Sequence, residues 1–305
     1  MARHTILALM IMPKISVLGS GVVGASIGKG LIDLGNSVAF YDVKDEPVKI
    51  LRGRGYSATT SLDEAVKDSD LSFICVPTPT RRGGIDLKYI KSVVCDLSSC
   101  LKRRTEYHTV VIKSTVVPTT TRRIILPLLE KISKKKVGVE LGLCVNPEFL
   151  TEISRSWTTD KSFERNFSNE ERIVVGEYDK KSGDSLMSLF RTLDAPKFRT
   201  DLETAEMIKY ASNCALAMKI SYWNEIFFVC RRLDIDSKIV AQATILDSRI
   251  GEYGSVHGKA FGGKCLPKDL HAFIKFSEGL GYKPELLEAV ERINERIKEE
   301  TGVRE

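Results

Sequence analysis

The sequence predicts an α/β protein, a doubly wound parallel sheet followed by an all-helical domain. Three observations predict it. Short β-rich runs alternate with helical patterns up to about residue 200. A glycine-rich turn joins the first run to the first helix. Beyond Thr200 the β-rich runs cease. Alternation of strand and helix at this spacing means βαβ units, whose strands lie parallel. With 305 residues, 43% of them hydrophobic, the chain can bury two cores.

Residues 1–12 read as a short extension, with Met12 an alternative start; their apolar run is too short to span a bilayer. The strands expected after it are Lys14–Leu18, Ser37–Tyr41, 71–76, 109–112 and 142–145, with helices over 24–34, 87–101 and 119–132 between them. A strand at 172–175 and a helix over 180–193 extend the pattern. Segment 155–171 is polar and irregular and reads as a loop or insertion. From Asp201 to Leu233 there is one long helix without Gly or Pro, capped by Thr200 or Asp201 with Glu203 in its first turn. Helices over 236–246, 270–278 and 284–300 follow. The boundary therefore falls near 200, giving a first domain over 1–200 and a helical one over 201–305.

Charge and cysteine usage narrow the function. Lys plus Arg number 46 against 40 acids, a net charge of +6. The basic residues are dispersed, the densest run being Lys134-Lys135-Lys136 at a helix end, so no nucleic-acid partner is expected. The mild positive balance suits phosphate esters. The seven cysteines, at 75, 95, 100, 144, 214, 230 and 265, include no CxxC pair, and there are four histidines. This fits a reducing, cytoplasmic compartment and no metal site. No stretch is long and apolar enough for a membrane span.

The first strand runs into Gly19-Ser20-Gly21-Val22-Val23-Gly24 and a helix. Gly19 permits the tight turn, Gly21 lets the backbone approach a pyrophosphate, and Gly24 lets helix and strand pack closely, a Rossmann-like arrangement. The diphosphate then meets the free N–H groups of a helix N-terminus. Asp42 closes the second strand, where a carboxylate accepts ribose hydroxyls and repels a 2′-phosphate, so the cofactor expected is NAD rather than NADP. Cys75-Val76-Pro77-Thr78-Pro79-Thr80 and Lys113-Ser114-Thr115 leave two later strands at the same sheet edge. Thr78, Thr80, Ser114 and Thr115 suit cofactor contact.

Residues 261–269 read Phe261-Gly262-Gly263-Lys264-Cys265-Leu266-Pro267-Lys268-Asp269. Pro267 is placed to open a helix. Cys265 would stand at that helix's N-terminus beside Lys264 and Lys268, a setting that lowers a thiol pKa. The other six cysteines sit among aliphatics and read as inert. Lys209 and Asn213, four apart, share a face of the long helix. Glu148 and Glu152, in Asn146-Pro147-Glu148-Phe149-Leu150-Thr151-Glu152, could share another. Taken alone, each of these pairs reads as surface charge.

Together these stretches carry a resemblance. With Asp247-Ser248-Arg249-Ile250-Gly251 added, they match the UDP-glucose/GDP-mannose dehydrogenase family in seven ordered blocks. The resemblance implies oxidation of a primary alcohol to a carboxylate with two NAD, through an aldehyde, a thiohemiacetal and a thioester on Cys265. It implies that Lys209 and Asn213 stabilise negative charge on oxygen, that Asp269 and Thr115 hold water, and that Glu148 assists hydrolysis as a base. Ser20, Val22, Val23, Val76, Pro77, Glu152 and Lys268 would line the cofactor. Glu148, Phe149, Leu150, Glu152, Lys209, Asn213, Arg249, Phe261 and Gly262 would bind a sugar nucleotide. A homodimer built on the long helix is also implied.

The chain departs from this pattern in three places. The family's third domain, a second Rossmann-like unit that grips the nucleotide, would begin where the chain stops at Glu305. The stretch between Glu152 and Arg172 is longer, and 252–259 lacks the commoner Tyr and Pro placement. The expectation is a short-form dehydrogenase lacking that third domain and acting on UDP-glucose or a related sugar nucleotide. Two alternatives stand beside it. One is a two-electron β-hydroxyacid dehydrogenase. The other is an inactive NAD-binding, dimerising homologue.

Overall fold

The computed structural model describes residues 12–81, 84–150, 157–160, 163, 166–263 and 265–302. Residues 1–11 of the expected extension, together with Glu152 and Lys264, lie outside the described residues.

The chain opens β1 (Lys14–Leu18), α1 (Val22–Asp33), β2 (Ser37–Tyr41), α2 (Asp45–Gly53), β3 (Ala58–Thr59), α3 (Leu62–Val66) and β4 (Leu71–Ile74). A small hairpin, β5 (Thr80–Arg81) with β6 (Gly84–Ile85), precedes α4 (Lys88–Leu101) and β7 (His108–Ile112). A π-helical turn, Thr121–Ile125, runs into α5 (Leu126–Ser133). β8 (Leu141–Val145), β9 (Ile173–Glu177), α6 (Lys180–Leu189) and β10 (Lys197–Thr200) complete the sheet, in the order β10-β9-β8-β7-β4-β1-β2-β3. Every residue of β4, β7 and β8 is buried, as expected of strands covered on both faces. One apolar cluster, around Phe40, Phe73 and Leu31, fills one face; another, around Ile74, Leu97, Val110 and Leu143, fills the other.

One pairing corrects the expectation of a parallel sheet. β9 runs antiparallel to β8, with Val145 opposite Gly176. The chain leaves the carboxyl end of β8, and β9 enters the sheet from that same edge. The residues just before β9 therefore arrive where β1, β4, β7 and β8 end, which is the edge where such sheets bind ligands.

Segment 155–171, expected as a polar and irregular loop or insertion, is irregular over its described residues apart from the 3-10 turn Phe167–Asn169, yet two of its aromatics are buried. Trp157 is 2% exposed and sits with Cys214, Ala217, Ile220 and Phe261 in the helical core. Phe167 is buried in the sheet core beside Phe190. The segment thus fastens sheet to helices by two aromatic anchors, invisible in a stretch of mostly polar residues. The short elements α2, α3, β3 and β10 were also not expected; segments this short carry little periodicity.

α7 (Leu202–Arg232) is the long helix, and the Asp201 carboxylate caps it by accepting the Thr204 N–H at 2.7 Å. Leu202 and Ala205 pack on the sheet, while Ala217 and Ile220 lie in the helical core. α8 (Ser237–Thr244), α9 (Leu266–Gly279) and α10 (Glu285–Thr301) follow. α9 starts four residues before its expected first residue, 270, because Pro267 is tolerated in a first turn. Among the described residues, no helix is long and apolar enough to cross a membrane.

Candidate active site

The glycine-rich turn is built as a backbone cradle. Gly19 has φ +101°, a left-handed conformation that favours glycine, and its N–H donates to Tyr41 O at 2.8 Å. A Cβ on Gly24 would lie 1.8 Å from Gly19 O, so the helix could not approach the strand. Among the described residues, a Cβ on Gly21 would meet nothing within 4 Å and no side chain caps α1. The cradle is therefore open and its helix N-terminal N–H groups are uncapped, as a pyrophosphate requires. Asp42 accepts the Ser20 N–H at 2.8 Å and the Lys44 N–H at 3.0 Å, with lone pairs left for ribose hydroxyls. Val22 is exposed and Val23 half-buried at the start of α1. These residues fit NAD.

The two later strand exits are tied together. Thr78 Oγ1 donates to Thr115 O at 2.7 Å, and Ser114 Oγ donates to Val76 O at 2.7 Å. Thr80 Oγ1 donates to Lys268 O at 3.2 Å, fastening the Val76–Pro77–Thr78 loop to the start of α9. Each hydroxyl thus spends its proton on a neighbouring carbonyl and keeps its lone pairs.

Lys209 and Asn213 are not surface residues. They are 6% and 7% exposed. Lys209 Nζ donates to Glu148 O at 2.5 Å and lies 3.5 Å from Glu148 Oε2. Asn213 Nδ2 donates to Asp269 Oδ2 at 2.6 Å, and Lys268 pairs with the other oxygen of that buried carboxylate. An ammonium has three donors and an amide nitrogen two, so donors remain for a developing oxyanion. Phe149 stacks under the Arg172 guanidinium, 4.1 Å away, with the Lys209 ammonium 5.4 Å off; Leu150 is half-buried beside it.

Cys265 is exposed and stands at the N-cap of α9, as expected. The expected lowering of its pKa is reversed. Desolvation by the surrounding protein raises the thiol, Glu148 and Asp269 push the same way, and the pull of Lys209 and Lys268 does not overcome them. The physical reason is that both lysines are already claimed by carboxylates. The neighbouring cation visible in the sequence is not a free cation in the fold.

Two expected substrate residues are engaged elsewhere. Arg249 sits on the surface, its guanidinium held by Asp247 at 2.6 Å, outside this cluster. Phe261 is in the core, and both its backbone groups are bound by Asn294, at 2.8 and 3.0 Å. Gly262, next along, is half-buried.

Sequence reasoning missed three residues. Lys113, 3% exposed, donates to Asn146 Oδ1 at 3.0 Å and Pro147 O at 3.2 Å, pinning the loop that carries Glu148. Arg172 donates to Ser212 Oγ at 3.0 Å. Glu170 has its carboxyl raised by burial, with Glu148 adding to the rise and Lys113, Arg172 and Lys209 opposing it. The last two reach the site only because β9 is antiparallel. Among the described residues, no group of three or more His, Cys, Asp or Glu could hold a metal.

The chain matches the family model for the NAD binding domain of the UDP-glucose/GDP-mannose dehydrogenases over residues 49–194, and that for their central domain over 203–296. Residues 14–82, which hold the glycine turn, match a coenzyme F420-dependent NADP oxidoreductase model. It is 37% identical to a GDP-mannose 6-dehydrogenase of Pseudomonas savastanoi pv. phaseolicola, over 92% of this chain and 68% of that protein. It is 36% identical to the UDP-glucose 6-dehydrogenase AglM of Haloferax volcanii, over 92% and 69%. A solved UDP-glucose dehydrogenase from the hyperthermophilic archaeon Pyrobaculum islandicum superposes with TM-score 0.85 at 35% identity, covering 93% of this chain and 68% of that one.

Proposed function

The chain belongs to the UDP-glucose/GDP-mannose dehydrogenase family, a family of NAD-dependent nucleotide-sugar 6-dehydrogenases, and from that premise we propose that it oxidises UDP-glucose or a related sugar nucleotide to the uronate through a Cys265 thioester. The observation that carries the reading is the convergence on Cys265 of Lys209, Glu148, Asp269 and Lys268, from three separate segments. NAD, held by the Gly19–Gly24 turn and Asp42, would supply the hydride acceptor for each of two oxidations.

Lys209 and Asn213 direct their remaining donors at the substrate oxygen as charge develops there. After the first oxidation the Cys265 sulfur bonds to the aldehyde carbon, giving a thiohemiacetal. Loss of a second hydride from that carbon, with the hydroxyl proton leaving to water, gives the thioester. Water then attacks the thioester carbonyl, the C–S bond breaks, and the thiol and carboxylate are released. Glu148, held by Lys209, is the base for that water; Asp269 orients Asn213 and Lys268, and Thr115 helps to hold the water. Because the Cys265 thiol is raised, it attacks as its proton is lost, and that proton ends on the former aldehyde oxygen of the thiohemiacetal.

NAD would lie along Gly19–Gly24, Asp42, the 76–80 loop and Ser114, with Lys268 and Glu152 lining it. Phe149, Leu150 and Gly262 would meet the sugar, with Phe261 shaping the wall and Arg249 reaching nucleotide from its surface turn. Tyr222, Val229, Leu233, Ile235 and Ile239, exposed on and just after the far half of α7, support a homodimer. Seven free thiols fit a cytoplasmic location.

The test is product stoichiometry. The chain is incubated with NAD and a panel of UDP- and GDP-sugars, and NADH is counted per sugar consumed. About two NADH per uronate is expected from a thioester route. One NADH per substrate, or saturable NAD binding with no turnover on any sugar nucleotide, would overturn it.

A further inference from the structure

The chemistry above leaves one deeply buried carboxylate unused. Glu206 lies on α7 one turn ahead of Lys209 and is 1% exposed. Its Oε1 accepts the Thr121 N–H at 2.9 Å. Among the described residues its Oε2 has no hydrogen-bond partner. Burial pushes this carboxyl up to about 7, against the pull of the Thr121 amide. An apolar side chain would fill the space without that desolvation cost, so packing alone does not account for a glutamate here.

What Glu206 holds is the end of the loop that carries Ser114 and Thr115. Thr121 opens the π-helical turn directly after that loop. Between them Thr119 has φ +74°, a left-handed conformation that a threonine keeps only when its surroundings impose it. The loop's other end is tied to the cofactor side, because Thr115 O accepts the Thr78 hydroxyl. A carboxylate is suited to this place, since it satisfies one of the orphan N–H groups at a helix start and favours its dipole. Glu206, Lys209 and Asn213 fall on one buried stripe of α7, and each reaches a different loop: the Thr121 turn, the Glu148 loop and the start of α9.

We propose that Glu206 is a positioning residue for the cofactor site, fixing the 113–120 loop through the Thr121 amide so that Thr115 O holds the Thr78 hydroxyl in place for NAD. This rests on the cofactor role given above to Thr78 and Thr115. The ionisable groups around Glu206 are Glu203 and Tyr210 on its own helix and Arg122 on the π-helical turn, the last engaged by Glu203. From α9, Asp269 acts on Tyr210. The strands beneath α7 contribute aliphatics such as Val145 and Val174.

The experiment uses the full chain as wild type, Glu206→Gln and Glu206→Ala. NAD affinity is measured by calorimetric titration, and the Thr121 amide is followed by proton–nitrogen NMR across pH. In the wild type the Thr121 resonance moves with a midpoint near 7, and in Glu206→Gln it is flat. Glu206→Ala weakens NAD binding about five- to tenfold, while Glu206→Gln, which keeps an acceptor, stays within about twofold of wild type. Wild-type NAD affinity in Glu206→Ala overturns the proposal, as does a Thr121 resonance that titrates alike in wild type and Glu206→Gln. If Glu206→Ala does not fold, the Thr121 comparison decides alone. Neither readout uses a sugar nucleotide, so failed turnover leaves this inference standing, and failure here leaves the dehydrogenase reading standing.

Discussion

The two halves of the active site are built by opposite means. The glycine turn between β1 and α1 is contiguous, spans six residues from Gly19 to Gly24, and works through backbone shape and absent side chains. The reactive centre is discontinuous. As proposed, it draws Thr115 and Glu148 from the loops after β7 and β8, Lys209 and Asn213 from α7, and Cys265 and Asp269 from the start of α9, with side chains held by neighbouring residues. The lesson is that the first site can fail only by steric intrusion, whereas the second can lose chemistry while its shape survives.

The sharpest way to break this contrast is Cys265→Ala. Uronate formation should fall by at least about 10³-fold, because the step from aldehyde to acid loses its nucleophile. NAD affinity, measured by titration, should stay near wild type. Residual uronate formation at the wild-type rate would end the thioester route.

The converse substitution is Gly24→Ala. Its methyl group would be driven against Gly19 O, and relieving that overlap costs about 1–3 kcal/mol. NAD binding should weaken roughly tenfold or more as α1 is pushed off β1, while a slow thiol reagent still modifies Cys265 normally. Unchanged NAD affinity would mean that the cradle does not carry the pyrophosphate.

The smallest effect sharpens the electrostatics. The Cys265 thiol is raised, so the thiolate is scarce at neutral pH and accumulates only above the ordinary thiol range. Alkylation of Cys265 by iodoacetamide, followed by mass spectrometry of the 265-containing peptide, should be slower near neutrality than that of an ordinary exposed thiol. Its rate should level off at a higher pH than that of a free cysteine measured alongside. A plateau near pH 7 would show that Lys209 and Lys268 win after all.

How much was readable in advance divides along the same line. The strands Lys14–Leu18 and Ser37–Tyr41 and the Asp201 cap lie where local pattern places them, because alternation, capping and turn chemistry act between near neighbours. The 155–171 segment did not yield, since two aromatics among polar residues give no period, and only burial of Trp157 and Phe167 reveals a strap. Lys113, Glu170 and Arg172 were missed for a related reason. A charged residue at a strand end looks like solvent-facing polarity until a neighbouring chain segment covers it.

The sequence by itself determined the α/β class, the glycine turn between β1 and α1 and the start of the long helix to within a residue, because each is encoded within a few residues. Only the tertiary structure decided that β9 runs antiparallel and brings Glu170 and Arg172 to the site. It also decided that Asn294 occupies the backbone of Phe261 and that Lys268 serves Asp269 rather than the thiol. Hydrogen bonds and charges act through space over a few ångströms, so the state of a group depends on which distant segment the fold sets against it.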